Sequence, residues 1–314
     1  MQPNPVLVRI GPIAIHWYGV LIVTGAMLAA YIASKLSSRN GHDPEIAWNL
    51  LLACLVSGVI GARIYHVISG SNWEYYRAHP AEIFGLQMSG FGIYGAVVGG
   101  MIGLWAFTRF SKLRFLEWAD YTAPGLILAQ AIGRWGNYFN QELYGPPSNL
   151  PWAIYIPPEN RLAGLESFEY FHPTFLYESV LDFGGFLILL YLARNWQKGR
   201  LYGDLFFLYG LIYPIIRFFI EFLRPDAWKI GDVPTAQWIS LVAVVLFTAL
   251  LFIRHKLRRP SMVYTPGTPW QPPADKEDQV DAGGQTDHGE QGAEGAEVTA
   301  PSATEPQSGN QKGD

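Results

Sequence analysis

The sequence predicts an all-α polytopic membrane protein, with about seven transmembrane helices around an outer polar cavity. Three observations carry that prediction. Half of the 314 residues are apolar and only 15% are charged. The charges bunch at the ends of apolar blocks, and seven such blocks each reach the ~20 residues that a membrane helix needs.

The first block, 15–36, is too long, and its N-terminal flank too uncharged, to be a cleaved signal sequence, so it is expected to remain as a helix with Tyr18 in its first turn. The second, 45–69, carries Arg63 and His66 late in its run and holds Cys54, the only cysteine, which excludes an intrachain disulfide and a thiolate metal cluster. The third, 89–110, places Tyr94 near its start. Its Gly95-x-x-x-Gly99 and Gly99-x-x-x-Gly103 spacings predict close helix packing. Gly90-x-Gly92-x-x-Gly95 has the letters of a dinucleotide fingerprint, but with no strand before it and no βαβ unit around it. With no Walker loop and no His-x-x-x-His spacing either, neither a cofactor nor a metal is expected.

The fourth block, 115–137, ends in a polar run from Gly133 to Gly145 that contains Arg134, Asn137, Asn140 and Glu142. Such residues at the edge of hydrocarbon cost several kcal/mol unless something pairs with them, so they mark a site. The stretch 138–171 is long, polar and rich in Pro and aromatic residues; an outer arm and a plain exposed loop both fit it. The fifth block, 172–194, has Glu178 early. In the sixth, 201–223, Tyr213, Arg217, Glu221 and Arg224 follow at i, i+4, i+8 and i+11, which predicts one polar helical face beside Pro214. The seventh is 235–255. Beyond Arg259 the apolar residues thin out, so the chain divides into a membrane domain, 1–259, and an expected disordered cytoplasmic tail, 260–314. The tail supplies the formal charge of −4, which therefore says nothing about partners of the core.

Of the basic residues between blocks, 12 follow the first, third, fifth and seventh blocks or lie close behind them, against 5 on the other side (Arg9, Arg77, Arg161, Arg224 and Lys229). The positive-inside rule then puts the N-terminus outside and the C-terminus in the cytoplasm. With that orientation Tyr18, Arg63, Tyr94, Arg134, Glu178, Arg217, Glu221 and Arg224 all fall in the outer half of the membrane, whereas snorkelling charges would decorate both ends. Glu117, Asp120, Asp182 and Asp204 fall nearer the inner end, where solvation or pairing with basic residues accounts for them. Buried arginines in an outward cavity suit a phosphate headgroup above other ligands, because guanidinium keeps its charge and offers phosphate a planar fork. Such a cavity serves either transport of an anionic lipid or chemistry on it. The lack of an internal repeat and the one-sided depth of the polar residues favour chemistry.

The run from Gly133 to Gly145 resembles the signature of the prolipoprotein diacylglyceryl transferases, with Arg134, Asn137, Asn140, Glu142 and Gly145 at matching positions. Further matches are His16-Trp17-Tyr18-Gly19, Gly61-Ala62-Arg63, Asp120 with Pro124, His172-Pro173 with Tyr177-Glu178, and Tyr213-x3-Arg217-x3-Glu221-Phe222-x-Arg224. The resemblance covers roughly residues 10 to 255. It implies a bacterial inner-membrane enzyme that moves the diacylglyceryl group of phosphatidylglycerol to the lipobox cysteine of a prolipoprotein, releasing glycerol phosphate, with membrane lipids and prolipoprotein signal peptides as partners and no nucleic acid. It also implies Arg134, Arg217, Tyr94 and Glu142 as catalytic residues, and Asn137, Asn140, Gly145, Tyr18, Arg63, Tyr213, Glu221 and Arg224 as substrate-binding ones. One departure stands out: many members carry a His-Gly-Gly motif, its histidine a proposed base, where this chain has Ile93-Tyr94-Gly95-Ala96. A tyrosine of unperturbed pKa ~10 is a poor base near neutrality. Either Tyr94 acts by hydrogen bonding or the proton leaves by another route.

Overall fold

The computed structural model describes residues 3–69, 72–84 and 92–267. Among the described residues, seven long helices match the seven apolar blocks: α1 (Trp17–Ser38), α2 (Glu45–Ile68), α4 (Ile93–Phe110), α5 (Phe115–Asn140), α6 (Thr174–Asn195), α7 (Asp204–Ile220) and α8 (Thr235–Lys256), with a short α3 (Asn72–Ala78) after α2. Six of the long helices have the length and composition to cross a membrane, which makes this a multi-pass membrane protein. The exception is α5, which holds Glu117, Asp120 and Arg134 and is instead enclosed by α1, α6 and α7. Residues 89–91, the predicted start of the third block, lie outside the described residues, as does most of the predicted tail.

Large apolar side chains point outward along the helices, as they would toward lipid: Leu52, Val98 and Val242 are 63%, 60% and 64% exposed. Between helices the contact surfaces are small. A Cβ on Gly95 would lie 2.2 Å from the Gly61 carbonyl oxygen, and one on Gly99 would lie 2.2 Å from that of Ser57, so the glycine spacing of α4 serves the α2–α4 crossing. Likewise α1 meets α5 where Gly25 faces Ala129 and Gly125 faces Ala29. Larger side chains fill the space between these crossings, with Trp118, Ile127 and Leu189 fully buried.

Among the described residues, three short hairpins lie at one end of the bundle. Residues 15 and 16, expected to begin the first helix, are instead the end of β2 (Ile13–His16), which pairs antiparallel with β1 (Val6–Ile10) around Gly11 at φ 58°. Alternating Val and Ile suits a strand as well as a helix start, and the Gly11-Pro12 turn decides for the strand. The stretch 138–171 is a folded arm: β3 (Ile154–Tyr155) pairs with β4 (Tyr170–Phe171) over a small core of Tyr144, Ile156 and Phe171. Arg161 ties it by donating to the Ile156 and Glu166 carbonyls at 2.9 and 2.8 Å. A third hairpin, β5 (Lys229–Ile230) with β6 (Val233–Pro234), precedes α8.

At the opposite end the acids are buried, so solvation does not account for them. Glu117 pairs with His42 at 3.0 Å and accepts from the Tyr121 hydroxyl at 2.8 Å. Asp204 pairs with His255 at 3.0 Å, and Asp120 accepts the Gly203 and Phe206 N–H groups at the start of α7, at 2.8 and 3.0 Å. Folded structure also continues past the boundary expected at residue 259. Leu201 bridges Val263, the Tyr264 N–H donates to the Arg200 carbonyl at 2.9 Å, and Tyr264 is buried.

Candidate functional site

Three helix ends meet beneath the arm: the last turns of α5, the first turns of α6 and the last turns of α7. Each brings one charged residue. Glu178 of α6 stands between two arginines, 2.5 Å from Nη2 of Arg134 and 3.7 Å from Nη1 of Arg217. Arg217 also pairs through Nη2 with Glu221 one turn on, and Arg134 Nη2 donates to the Tyr213 hydroxyl at 3.3 Å. Both carboxylates are 4% exposed while the arginine side chains are 20% and 16% exposed, so the acids are held within and the guanidiniums reach the opening. Pro214 lies between Tyr213 and Arg217 and removes one backbone hydrogen bond of α7 beside the cluster.

The guanidiniums keep donors in reserve. A guanidinium has five N–H groups, and the Nη1 of Arg217 is buried without a hydrogen-bond partner among the described residues. The arrangement can therefore accept anionic oxygens while the carboxylates hold the cations in place. Asp182, one turn beyond Glu178, is fully buried with no hydrogen bond to either oxygen among the described residues, and its electrostatic neighbours are Glu178, Arg134 and Arg217. Depth along the chain alone assigns Asp182 to the inner end. The signal that places it in the site is its i+4 spacing from Glu178 on the same helical face.

The signature residues after Arg134 form a second cluster. The chain leaves α5 through Gln141 in the left-handed region, at φ 55°, which turns Glu142 back to accept from Asn137 Nδ2 at 2.9 Å and Asn140 Nδ2 at 3.3 Å. Gly145 donates its N–H to the His172 carbonyl at 2.8 Å; a Cβ there would lie 2.7 Å from the His172 Cβ, so only glycine lets the arm close onto α6. A cavity of about 400 Å³ opens beside Asn140 and Glu142, against Glu159 and Asn160 of the arm. Farther along, Tyr177 accepts from Trp152 Nε1 at 2.8 Å and pairs with His172 Nδ1 at 3.1 Å, tying arm to helix.

Of the other expected site residues, Arg63, Tyr94 and Arg224 have partners apart from the arginine pair. Tyr18 rests on Gly136, where a Cβ would come within 2.0 Å of its ring, and so lines the bundle near Arg134. Arg63 is buried against the loop after α3, donating to the Glu82 and Ile83 carbonyls at 2.8 and 3.0 Å, with the Tyr76 ring 5.0 Å away. Tyr94, 53% exposed, has its ring 5.8 Å from that of Tyr65. Arg224 does not share the helical face of Arg217, because α7 ends at Ile220 and one turn of 3-10 helix follows. It pairs instead with Asp226 at 3.0 Å.

A multi-pass helical bundle that opens paired guanidiniums under an extramembrane arm defines a class: membrane proteins that handle an anionic group at the bilayer edge. Residues 5–253 match the profile of the family described as prolipoprotein diacylglyceryl transferase. The chain is 42% identical over 270 residues to the phosphatidylglycerol–prolipoprotein diacylglyceryl transferase of Chloroflexus aggregans, covering 79% of this chain and 87% of that one. Similar relatives with the same name are found in Trichormus variabilis, 42% identical over 82% of this chain and 92% of the relative, and in Gloeobacter violaceus, 40% identical over 78% and 90%. The chain belongs to the prolipoprotein diacylglyceryl transferase family.

Proposed function

We propose that this protein transfers the diacylglyceryl group of phosphatidylglycerol to the thiol of a prolipoprotein lipobox cysteine, in the bacterial inner membrane with its N-terminus outside and its C-terminus in the cytoplasm. The observation that carries the reading is the Arg134–Glu178–Arg217 chain of ion pairs, in which Arg217 Nη1 makes no hydrogen bond among the described residues. Family membership and the names of the relatives support the choice of substrates.

In the proposed reaction Arg134 and Arg217 grip the phosphodiester. The cysteine sulfur, as the thiolate left once its proton has passed to solvent, attacks the glyceryl carbon that bears the phosphate: a C–S bond forms, the C–O bond to phosphate breaks, and glycerol phosphate leaves with the electron pair. The guanidiniums help most if they hold the departing phosphate more tightly as its charge grows. The same positive charge favours thiolate over thiol, from an unperturbed pKa of ~8.5. Glu178 and Glu221 keep both cations aimed at the opening, and Tyr213 fixes Arg134. Asn137, Asn140 and Glu142 form the polar wall for the glycerol headgroup, with Gly145 closing the arm onto α6. Tyr18 and Tyr94 line the approach, Tyr94 by hydrogen bonding rather than as the base, while Arg63 and Arg224 hold the surrounding loops.

The test incubates the purified protein in detergent with phosphatidylglycerol and a lipobox peptide and reads peptide mass. A gain of one diacylglyceryl unit by the cysteine peptide, absent from its Cys→Ala version, is expected. No gain with folded protein refutes the reading and returns the cavity to lipid transport.

A further inference from the structure

We infer that the end of the bundle opposite the arginine–glutamate site holds a second anion site, shaped for a phosphate group and formed by Arg39, Arg194, Arg200 and Tyr264. A cavity of about 320 Å³ lies there between the end of α1, the end of α6 and the segment that follows α8, with Asn40 and Gln197 also on its wall. That volume falls at the lower end of the ~300–1,000 Å³ of ligand sites. Three arginines line it and, among the described residues, no Asp or Glu does.

Arg200 is the telling residue. It is 1% exposed, with its guanidinium carbon 3.6 Å from the centre of the Tyr264 ring. Its Nε has no hydrogen-bond partner among the described residues, and its Nη1 reaches only the Ala193 carbonyl, at 3.5 Å. A buried charged donor left unmade is costly, and a phosphate oxygen in the cavity would satisfy it. Asp120, an electrostatic neighbour of Arg200, makes no hydrogen bond to it among the described residues and instead receives the Gly203 and Phe206 N–H groups.

The wall is built independently of a ligand. The Tyr264 hydroxyl donates to Asn40 Oδ1 at 2.5 Å and the Gly267 N–H donates to the same oxygen at 3.2 Å, so the aromatic face that backs the cation is pinned from two sides. Arg39 and Arg194, exposed at the rim, add charge around a fork that suits two phosphate oxygens. A phospholipid headgroup of the adjacent leaflet and free inorganic phosphate present the same oxygens.

The test uses the full-length protein with Arg217→Lys, which weakens the other anion site, titrated with dioleoyl phosphatidic acid and followed by native mass spectrometry. Saturable binding is expected, weakened by about tenfold or more on adding Arg39→Gln with Arg194→Gln. The charge-matched pair Lys256→Gln with Arg258→Gln, on the same end but outside the cavity, should leave it unchanged. Displacement by inorganic phosphate assigns the site to a soluble anion, and lipid binding that phosphate does not displace assigns it to a headgroup. Absence of saturable binding, or equal weakening by both pairs of variants, overturns the inference. So does binding that neither Arg39→Gln with Arg194→Gln nor Arg200→Met changes.

Discussion

Replacing Arg217 by lysine separates charge from geometry at the site. Arg217 spans two carboxylates, 3.7 Å from Glu178 through one terminal nitrogen and in contact with Glu221 through the other. Lysine keeps the positive charge but gathers its three donors on one nitrogen of a flexible stem, so it loses the planar fork that spans two carboxylates and presents a second edge to phosphate. Losing one charge-assisted hydrogen bond from the transition state costs about 1.5–3 kcal/mol, or roughly 10–150-fold in kcat/KM. Alanine is the harsher change, since it leaves Glu178 and Glu221, each 4% exposed, without their shared cation. Breaking a buried pair in that way costs up to ~3–5 kcal/mol of stability and confuses the comparison. The assay measures initial rates of diacylglyceryl transfer to a lipobox peptide at several phosphatidylglycerol concentrations, with a thermal melt as the folding control. Arg217→Lys within about threefold of the unmodified protein would show that a point charge suffices and would refute the role given to the fork.

Further predictions follow from other parts of the bundle. Gly95→Ala forces a Cβ to within 2.2 Å of the Gly61 carbonyl oxygen, so the melting temperature should fall by the equivalent of ~1–3 kcal/mol; an unchanged melt would mean that the crossing is loose. Asp120→Asn weakens the acceptor for two N–H groups at the start of α7 and should cost ~1–2 kcal/mol in stability while leaving KM for the peptide unchanged. Tyr94→Phe should retain transfer within about tenfold, and a larger loss with an intact fold would identify its hydroxyl as a proton acceptor. Removing residues 268–314 should leave activity and melting temperature unaltered, whereas removal from residue 260 takes Tyr264 from Arg200 and should lower the melting temperature.

The sequence displayed height in the membrane well and position around the bundle poorly. Helix length and apolar runs placed the seven long helices to within a few residues, and the glycines of α4 announced their packing role because close approach demands that side chains be absent. Arg134, Glu178 and Arg217 were legible as neighbours in depth. Depth does not give azimuth, however: Arg63 shares that height and yet turns into the loop carbonyls after α3, and Tyr94 meets Tyr65 on the α2–α4 pair. Asp182 shows the converse, a residue whose helical face outweighs a turn of depth. Arg224 left its predicted stripe because the i+11 spacing holds only while the α-helix continues, and α7 tightens after Ile220. The arm and the segment through Gly267 were hidden for another reason. They are held by contacts between residues distant in sequence, such as Gly145 with His172, Trp152 with Tyr177 and Tyr264 with Asn40, which no periodicity reveals.

Attack at the glyceryl carbon with phosphate as the leaving group yields two products, so the most direct measurement compares both from a single reaction. Peptide mass and released glycerol phosphate are quantified together from phosphatidylglycerol and a lipobox peptide. Cysteine-linked diacylglyceryl peptide and glycerol phosphate in equal amounts, both lost together when Arg134 is replaced, is the predicted result. Free glycerol with phosphorus retained on the peptide, or no modification by a folded protein, would contradict it.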